Sequence, residues 1–203
     1  MIWRLWIMTQ KRSEDSDKIQ KTNKAVFLDR DGTLIVDKKY SFNPDEIKIL
    51  PGVIEGLRLL QEAGFLLIVI SNQSGIARGI FTEDELKLFN NHLAAMFLDN
   101  NVVITDIFCC PHHPNGVVSK YSLVCNCRKP QTGLFWSAVR KYRIDLDRSF
   151  AVGDRLRDCA ICFESKCSGI IVSDHLSNNI DIKDLDRIVR CSSFIEGVDY
   201  ILR

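Results

Sequence analysis

The sequence predicts an α/β fold: a doubly wound parallel sheet with Rossmann-like topology, contained in one domain. Three observations carry that expectation. Apolar runs alternate with amphipathic helical patterns, as βαβ units require. The runs are continuous rather than alternating, which suits strands covered on both faces. Polar motifs recur at the carboxyl ends of the runs, where open α/β sheets bind their ligands.

The elements follow in order. Residues 1–24 read as a flexible leader. Its first part, Met1 to Met8, is apolar but interrupted by Arg4, and it is too short to span a bilayer. No small-residue cleavage site follows, and Met8 is an alternative start. The folded domain is expected over 25–203. Ala25 to Leu28 is the first strand, and Leu34 to Tyr40 an extended flap. Pro51 and Gly52 open a helix that Gly64 stops. Phe65 to Ile70 is a buried strand. Thr82 and Glu85 form a capping box for a helix to about Leu98. Val103 to Phe108 is the third strand, Gly133 to Tyr142 a helix, and Ser149 to Val152 a strand ending in Gly153-Asp154. A helix to about Phe163, strands at Gly169–Val172 and Arg187–Arg190, and a helix capped by Ser193 complete the pattern.

A chain of 203 residues with 46% hydrophobic and 26% charged residues suits one globular domain with its own core. The net charge of +1 offers no support for nucleic-acid or membrane binding. Eight cysteines without a signal peptide point to a reducing, cytoplasmic setting and a metal site rather than to disulfides. The expected partner is a small molecule, and the protein is expected to act as a monomer.

The chemistry starts at Ala25-Val-Phe-Leu-Asp29-Arg-Asp31-Gly32-Thr33. A buried strand delivers two carboxylates, two residues apart, into a turn. Carboxylates that close repel, so one takes a proton or a cation offsets the repulsion. Asp29 suits attack on phosphorus, and Asp31 suits proton donation to a leaving oxygen followed by activation of water. Asp29, Asp154 and a backbone carbonyl, that of Asp31, offer oxygen ligands to Mg²⁺. Asp158 either braces that site or is a solvated helix carboxylate. Ser71 and Asn72 can donate to phosphoryl oxygens, and Lys129 brings positive charge to the transferring group.

These residues, in this order and at strand ends, resemble the four motifs of the haloacid dehalogenase superfamily. The resemblance covers about 25–203. Members with bulky caps insert them after the first motif or between the second and third. Here those intervals hold only a flap, two helices, two strands and a loop, so a capless, open site is expected.

The loop over about 109–128 carries a second constellation. Cys110-Pro-His112 is followed after twelve residues by Cys125-Asn-Cys127. Three thiolates and an imidazole suit a closed tetrahedral Zn²⁺ site. Cys109 and His113 are adjacent alternatives. Cys159, Cys162, Cys167 and Cys191 read as ordinary buried side chains.

This loop, together with Ser71-Asn-Gln73-Ser74-Gly-Ile-Ala-Arg-Gly79 and Cys127-Arg128-Lys129-Pro130, resembles the D-glycero-D-manno-heptose 1,7-bisphosphate 7-phosphatases. The resemblance implies Mg²⁺-dependent removal of the 7-phosphate in nucleotide-activated heptose synthesis. It also implies substrate contacts from Asp37, Tyr40, Ser71, Asn72, Gln73, Ser74, Arg128, Lys129 and Arg155. Two positions depart from that family: Arg155 replaces the usual lysine, and Thr132 the usual proline. Histidinol-phosphate phosphatase is the alternative reading, although its loop is shorter. A zinc-stabilised binding module without catalysis is a third.

Overall fold

The structure, a computed structural model, describes residues 22–40, 42–172 and 186–203. The first 21 residues of the expected leader lie outside the described residues. At its far end, Asn23 already pairs with the domain: its backbone bridges Ile144, and its Nδ2 donates to Tyr142 O at 2.7 Å.

Among the described residues six parallel strands form the sheet: β1 (Ala25–Leu28), β2 (Leu66–Asn72), β3 (Asp106–Cys110), β4 (Phe150–Gly153), β5 (Ser168–Val172) and β6 (Ile188–Cys191). Their order is β3-β2-β1-β4-β5-β6. The chain winds outward one way from β1 to β3 and the other way from β4 to β6. The reversal lies beside β1, the point at which such sheets bind ligands. Among the described residues the α-helices are α1 (Val53–Glu62), α2 (Glu83–Asp99), α3 (Gly133–Tyr142) and α4 (Phe194–Ile201).

The continuous apolar strands are explained by cover on both faces. Val26 and Leu28 of β1 pack with α1, α2 and α4, whereas Ala25 and Phe27 pack with α3 and the turn after β4. Phe27 meets Phe135 of α3 edge-on at 5.3 Å. The capping box that starts α2 is present: Thr82 Oγ1 accepts from Glu85 N at 3.2 Å, and Glu85 Oε2 accepts from Thr82 N at 2.7 Å.

The second strand runs on two residues further than expected, to Asn72, and two elements differ more. The third strand starts three residues later than expected and ends two later, at Asp106–Cys110. Val103 is 56% exposed, so the apolar run that suggested a strand there is not buried. Cys110 therefore closes a strand rather than opening a loop. The helix after β4 is a 3₁₀ segment, Leu156–Phe163, kinked at Cys159. Gly153 accounts for the tight geometry there. A β-carbon on it would lie 2.2 Å from the Asp158 Cβ, so Asp158 packs straight onto the strand end.

Among the described residues no folded unit is inserted after β1 or between β2 and α3 that would cap the sheet. The flap pairs briefly with the chain ahead of α1: Ile35 bridges Ile49, and Val36 N donates to Lys48 O at 2.9 Å. No helix of the described residues is long and apolar enough to cross a membrane.

Candidate active site

The ends of β1, β2 and β4 and the loop before α3 meet at one cleft of about 400 Å³. Asp29 follows β1 and stays in the sheet, its N–H donating to Val152 O at 2.9 Å. It is 7% exposed. Lys129 reaches it from the loop and is buried more deeply still. The Lys129 ammonium donates to Asp29 Oδ1 at 2.6 Å and to Ile70 O at 2.5 Å, and it pairs with Asp158 Oδ1 at 2.7 Å. One buried cation therefore lies between two buried carboxylates. Burial pushes the Asp29 carboxyl up to about 6, against the opposing pull of Lys129, while Asp158 adds to the rise. Burial works against the Lys129 charge, but the two carboxylates outweigh it and hold its pKa above the usual lysine value.

Asp154 completes the acidic group. Ligand atoms of Asp29, Asp154 and Asp158 lie within 4.8 Å of one another. Asp154 Oδ1 is buried and has no hydrogen-bond partner. Its carboxyl is raised by burial and then by Asp29. Glycine is required opposite it: Gly32 has φ +88°, and a β-carbon there would come within 2.8 Å of Asp154 Oδ2. An all-oxygen cluster with an orphaned acceptor and only one buried ammonium fits a hard divalent cation. Asp158 is no solvated helix carboxylate. It is 3% exposed and accepts from Arg155 N at 3.0 Å as well as holding Lys129.

Asp31 sits at the mouth of the cleft. Arg30 Nε and Nη2 both reach its carboxylate, at 2.9–3.2 Å, and Gln73 Nε2 donates to its Oδ2 at 2.8 Å. Gln73 also donates to Ser71 Oγ at 2.6 Å. Asn72 is tied to the loop: its Nδ2 donates to Lys129 O at 3.0 Å, and its Oδ1 accepts from Lys129 N at 2.9 Å. The side chains of Asn72 and Gln73 thus have protein partners already. Ser74, Arg128, Arg155, Asp37 and Tyr40 also line the cleft. Asp37 Oδ1 accepts from Lys39 N at 2.9 Å and shapes the flap tip, where Lys39 and Tyr40 take φ of +47° and +74°. Such left-handed backbone is uncommon outside glycine.

The loop after β3 gathers the other constellation. Cys127 Sγ lies 3.2 Å from Cys110 Sγ, from Cys125 Sγ and from His112 Nδ1. Cys110 Sγ is 3.6 Å from Cys125 Sγ and 3.7 Å from His112 Nδ1. A tetrahedral ion with bonds of about 2.0–2.3 Å sets its ligands roughly 3.3–3.8 Å apart, so this spacing fits Zn²⁺. The adjacent alternatives point elsewhere: Asn90 Nδ2 donates to Cys109 Sγ at 3.6 Å, and His113 Nε2 meets Arg78 Nη2 at 3.1 Å. Of the two departures, Thr132 Oγ1 donates to Glu164 at 2.8 Å and Arg155 Nε contacts Asp154 Oδ2 at 3.4 Å.

Sequence reasoning passed over two arginines. Arg30 stands between the paired aspartates, and an arginine at a buried strand end must find a charged partner. Arg157 lines the cleft with its Nε buried and without a hydrogen bond, 4.0 Å from Asp158 Oδ1. The Arg-x-Arg spacing beside Asp154 was its only sequence signal.

A sheet of this order, with carboxylates and a buried lysine at the switch point, defines a haloacid dehalogenase-like phosphatase. The sequence model described as polynucleotide kinase 3 phosphatase matches residues 24–169. A D-glycero-beta-D-manno-heptose-1,7-bisphosphate 7-phosphatase of Escherichia coli O6:H1 is 45% identical over 134 residues, 66% of this chain and 70% of that one. The enzyme of the same name from Haemophilus influenzae is 41% identical over 136 residues, 67% and 73% of the two chains. The crystal structure of D,D-heptose 1,7-bisphosphate phosphatase from B. bronchiseptica, complexed with magnesium and phosphate, is similar with a TM-score of 0.73 and 28% identity. That match covers 88% of this chain and 98% of the other. The chain belongs to the polynucleotide kinase 3 phosphatase family and to the family of D-glycero-beta-D-manno-heptose-1,7-bisphosphate 7-phosphatases.

Proposed function

We propose that this protein hydrolyses the 7-phosphate ester of D-glycero-D-manno-heptose 1,7-bisphosphate in the cytoplasm, leaving the 1-phosphate for nucleotide activation. The observation that carries the proposal is the buried Asp29–Lys129–Asp158 centre beside an orphaned Asp154 oxygen. It is supported by relatives of that name at 41–45% identity, whose beta designation favours the beta anomer.

Asp29 is the nucleophile. Its carboxylate oxygen bonds to phosphorus while the bond from phosphorus to the sugar oxygen breaks, and the departing oxygen takes a proton from Asp31. A water then attacks the aspartyl-phosphate, gives its proton to the Asp31 carboxylate, and frees Asp29. Ser71 and Lys129 stabilise the transferring phosphoryl group. Asp29, Asp154 and the Asp31 carbonyl would hold Mg²⁺, as the B. bronchiseptica structure with magnesium and phosphate supports. Bound there, Mg²⁺ supplies charge neutralisation at phosphoryl oxygens. Asp158 braces Lys129. Asp37, Tyr40, Asn72, Gln73, Ser74, Arg128 and Arg155 border the sugar and its far phosphate. Arg128, with a planar fork suited to phosphate, reads the far end. Cys110, His112, Cys125 and Cys127 would hold a structural Zn²⁺ that never touches the reacting phosphate.

The test is phosphate release from a panel of both heptose 1,7-bisphosphate anomers, other sugar bisphosphates and histidinol phosphate. The highest kcat/KM is expected on a heptose bisphosphate. A preference for histidinol phosphate would overturn the proposal.

A further inference from the structure

Arg30 is a charged side chain with 3% exposure at the end of the central strand, and the reaction as described leaves it without a role. All three of its guanidinium nitrogens are engaged. Nε and Nη2 lie 2.9–3.2 Å from both oxygens of Asp31. Nη1 donates to Asn90 Oδ1 at 2.9 Å. The guanidinium also stacks 4.6 Å above the Phe89 ring. Asn90 and Phe89 both belong to α2, a helix held in the core by Phe89, Leu93 and Phe97. A planar fork fixed at one end to a rigid helix thus grips a carboxylate at the other. Because no guanidinium nitrogen is left over, Arg30 is committed to Asp31 rather than to a phosphate.

We propose that Arg30, anchored by Asn90, is a positioning residue that fixes the plane of the Asp31 carboxyl for proton transfer. This rests on the reading of Asp31 as the group that protonates the leaving oxygen. Carboxyl orientation decides whether the proton lies on line with the departing oxygen, and proton donation of this kind contributes about 10²–10⁴-fold. A bidentate guanidinium holds that plane as a lysine point charge cannot. Gln73 supports the same carboxylate from β2 but touches one oxygen only.

The consequence is a dependence on the leaving group. A sugar alkoxide departs poorly without a proton, whereas a nitrophenolate departs without one. The value of kcat/KM reports steps up to departure of the leaving group. It should be measured on heptose 1,7-bisphosphate and on p-nitrophenyl phosphate for the wild type, Asp31→Ala, Arg30→Met, Arg30→Lys and Asn90→Ala. Arg30→Met is expected to lose about 10²-fold on the sugar phosphate and less than about tenfold on the aryl ester. Arg30→Lys should fall between wild type and Arg30→Met. Asn90→Ala should shift the ratio of the two values in the same direction by about threefold or more, and it carries the test if Arg30→Met does not fold.

Equal losses on both substrates for Arg30→Met, or for Asn90→Ala where that variant carries the test, would overturn the inference. A phosphate ligand or a purely structural residue would affect both alike. Asp31→Ala separates the two claims. If it too loses equally on both substrates, the reading of Asp31 as proton donor fails. If it shows the leaving-group effect and the Arg30 and Asn90 variants do not, only the Arg30 inference fails.

Discussion

Among the described residues two clusters of side chains could each hold a metal ion, and they differ in what holds them together. The carboxylates Asp29, Asp154 and Asp158 issue from strand ends and the turn beside β4, and Lys129 already neutralises part of their charge. The cluster of Cys110, His112, Cys125 and Cys127 joins the end of β3 to a long loop whose only regular structure is a 3₁₀ turn, Ser119–Tyr121. The first cluster is assembled by the sheet. The second gathers a loop that otherwise holds to the domain by scattered contacts, such as Val117 N and Val118 N donating to Ala77 O at 2.7 and 3.0 Å. Loss of metal should therefore cost chemistry at the first and local order at the second.

The sharpest break of that comparison is Asp29→Asn. An amide cannot form the acyl-phosphate, so kcat should fall by at least ~10⁴-fold with the fold intact. Near-wild-type turnover at saturating Mg²⁺ would remove the covalent route. Lys129→Ala should come next. It leaves Asp29 and Asp158 as buried carboxylates without their shared cation, which costs about 3–5 kcal/mol in denaturant unfolding as well as activity. Unchanged stability would show that water reaches the site freely.

Cys125→Ser tests the other cluster. Zinc content measured by elemental analysis should fall to nothing. Hydrogen exchange should quicken in the loop, while β1 and β4 stay protected. Protein purified under reducing conditions, without chelator and without zinc, would remove the site. The burial that raises Asp29 to about 6 makes a further distinction. Below that value the metal-free carboxyl holds a proton, which a cation must displace. The Mg²⁺ concentration for half-maximal activity should thus rise up to about tenfold per pH unit as pH falls below 6. A flat requirement between pH 5 and 7 would show that Asp29 is already ionised. The smallest effect concerns the rim. Arg128→Ala should lose about 10–100-fold in kcat/KM on the bisphosphate and far less on a small aryl phosphate. Proportional losses on both would end the assignment of Arg128 to the far phosphate.

What was legible in the sequence follows the same division. Asp29 and Asp154 stand in local patterns, an apolar run that ends in a carboxylate with a glycine nearby, and Lys129 stands between Arg128 and Pro130 just after the second cysteine pair. The helix starts were equally local, since the Thr82–Glu85 box lies within four residues. Partners distant in sequence were not legible. Asn72 grips Lys129 from 57 residues away, and Gln73 grips Asp31 from 42. Nothing beside either residue signals it. Asp158 was left between two readings because burial decides it, and burial is set by the approach of Lys129 and the bare Gly153. The third strand was begun too early because Val103 and Ile104 are apolar, yet Val103 is 56% exposed and the strand starts only at Asp106.

The most direct test is phosphorus NMR of heptose 1,7-bisphosphate turned over by the wild-type protein with Mg²⁺. The 7-phosphate resonance should vanish and inorganic phosphate should appear in equal amount, with the 1-phosphate intact. Loss of the 1-phosphate, or no turnover with Mg²⁺ and zinc both present, would contradict the proposed function.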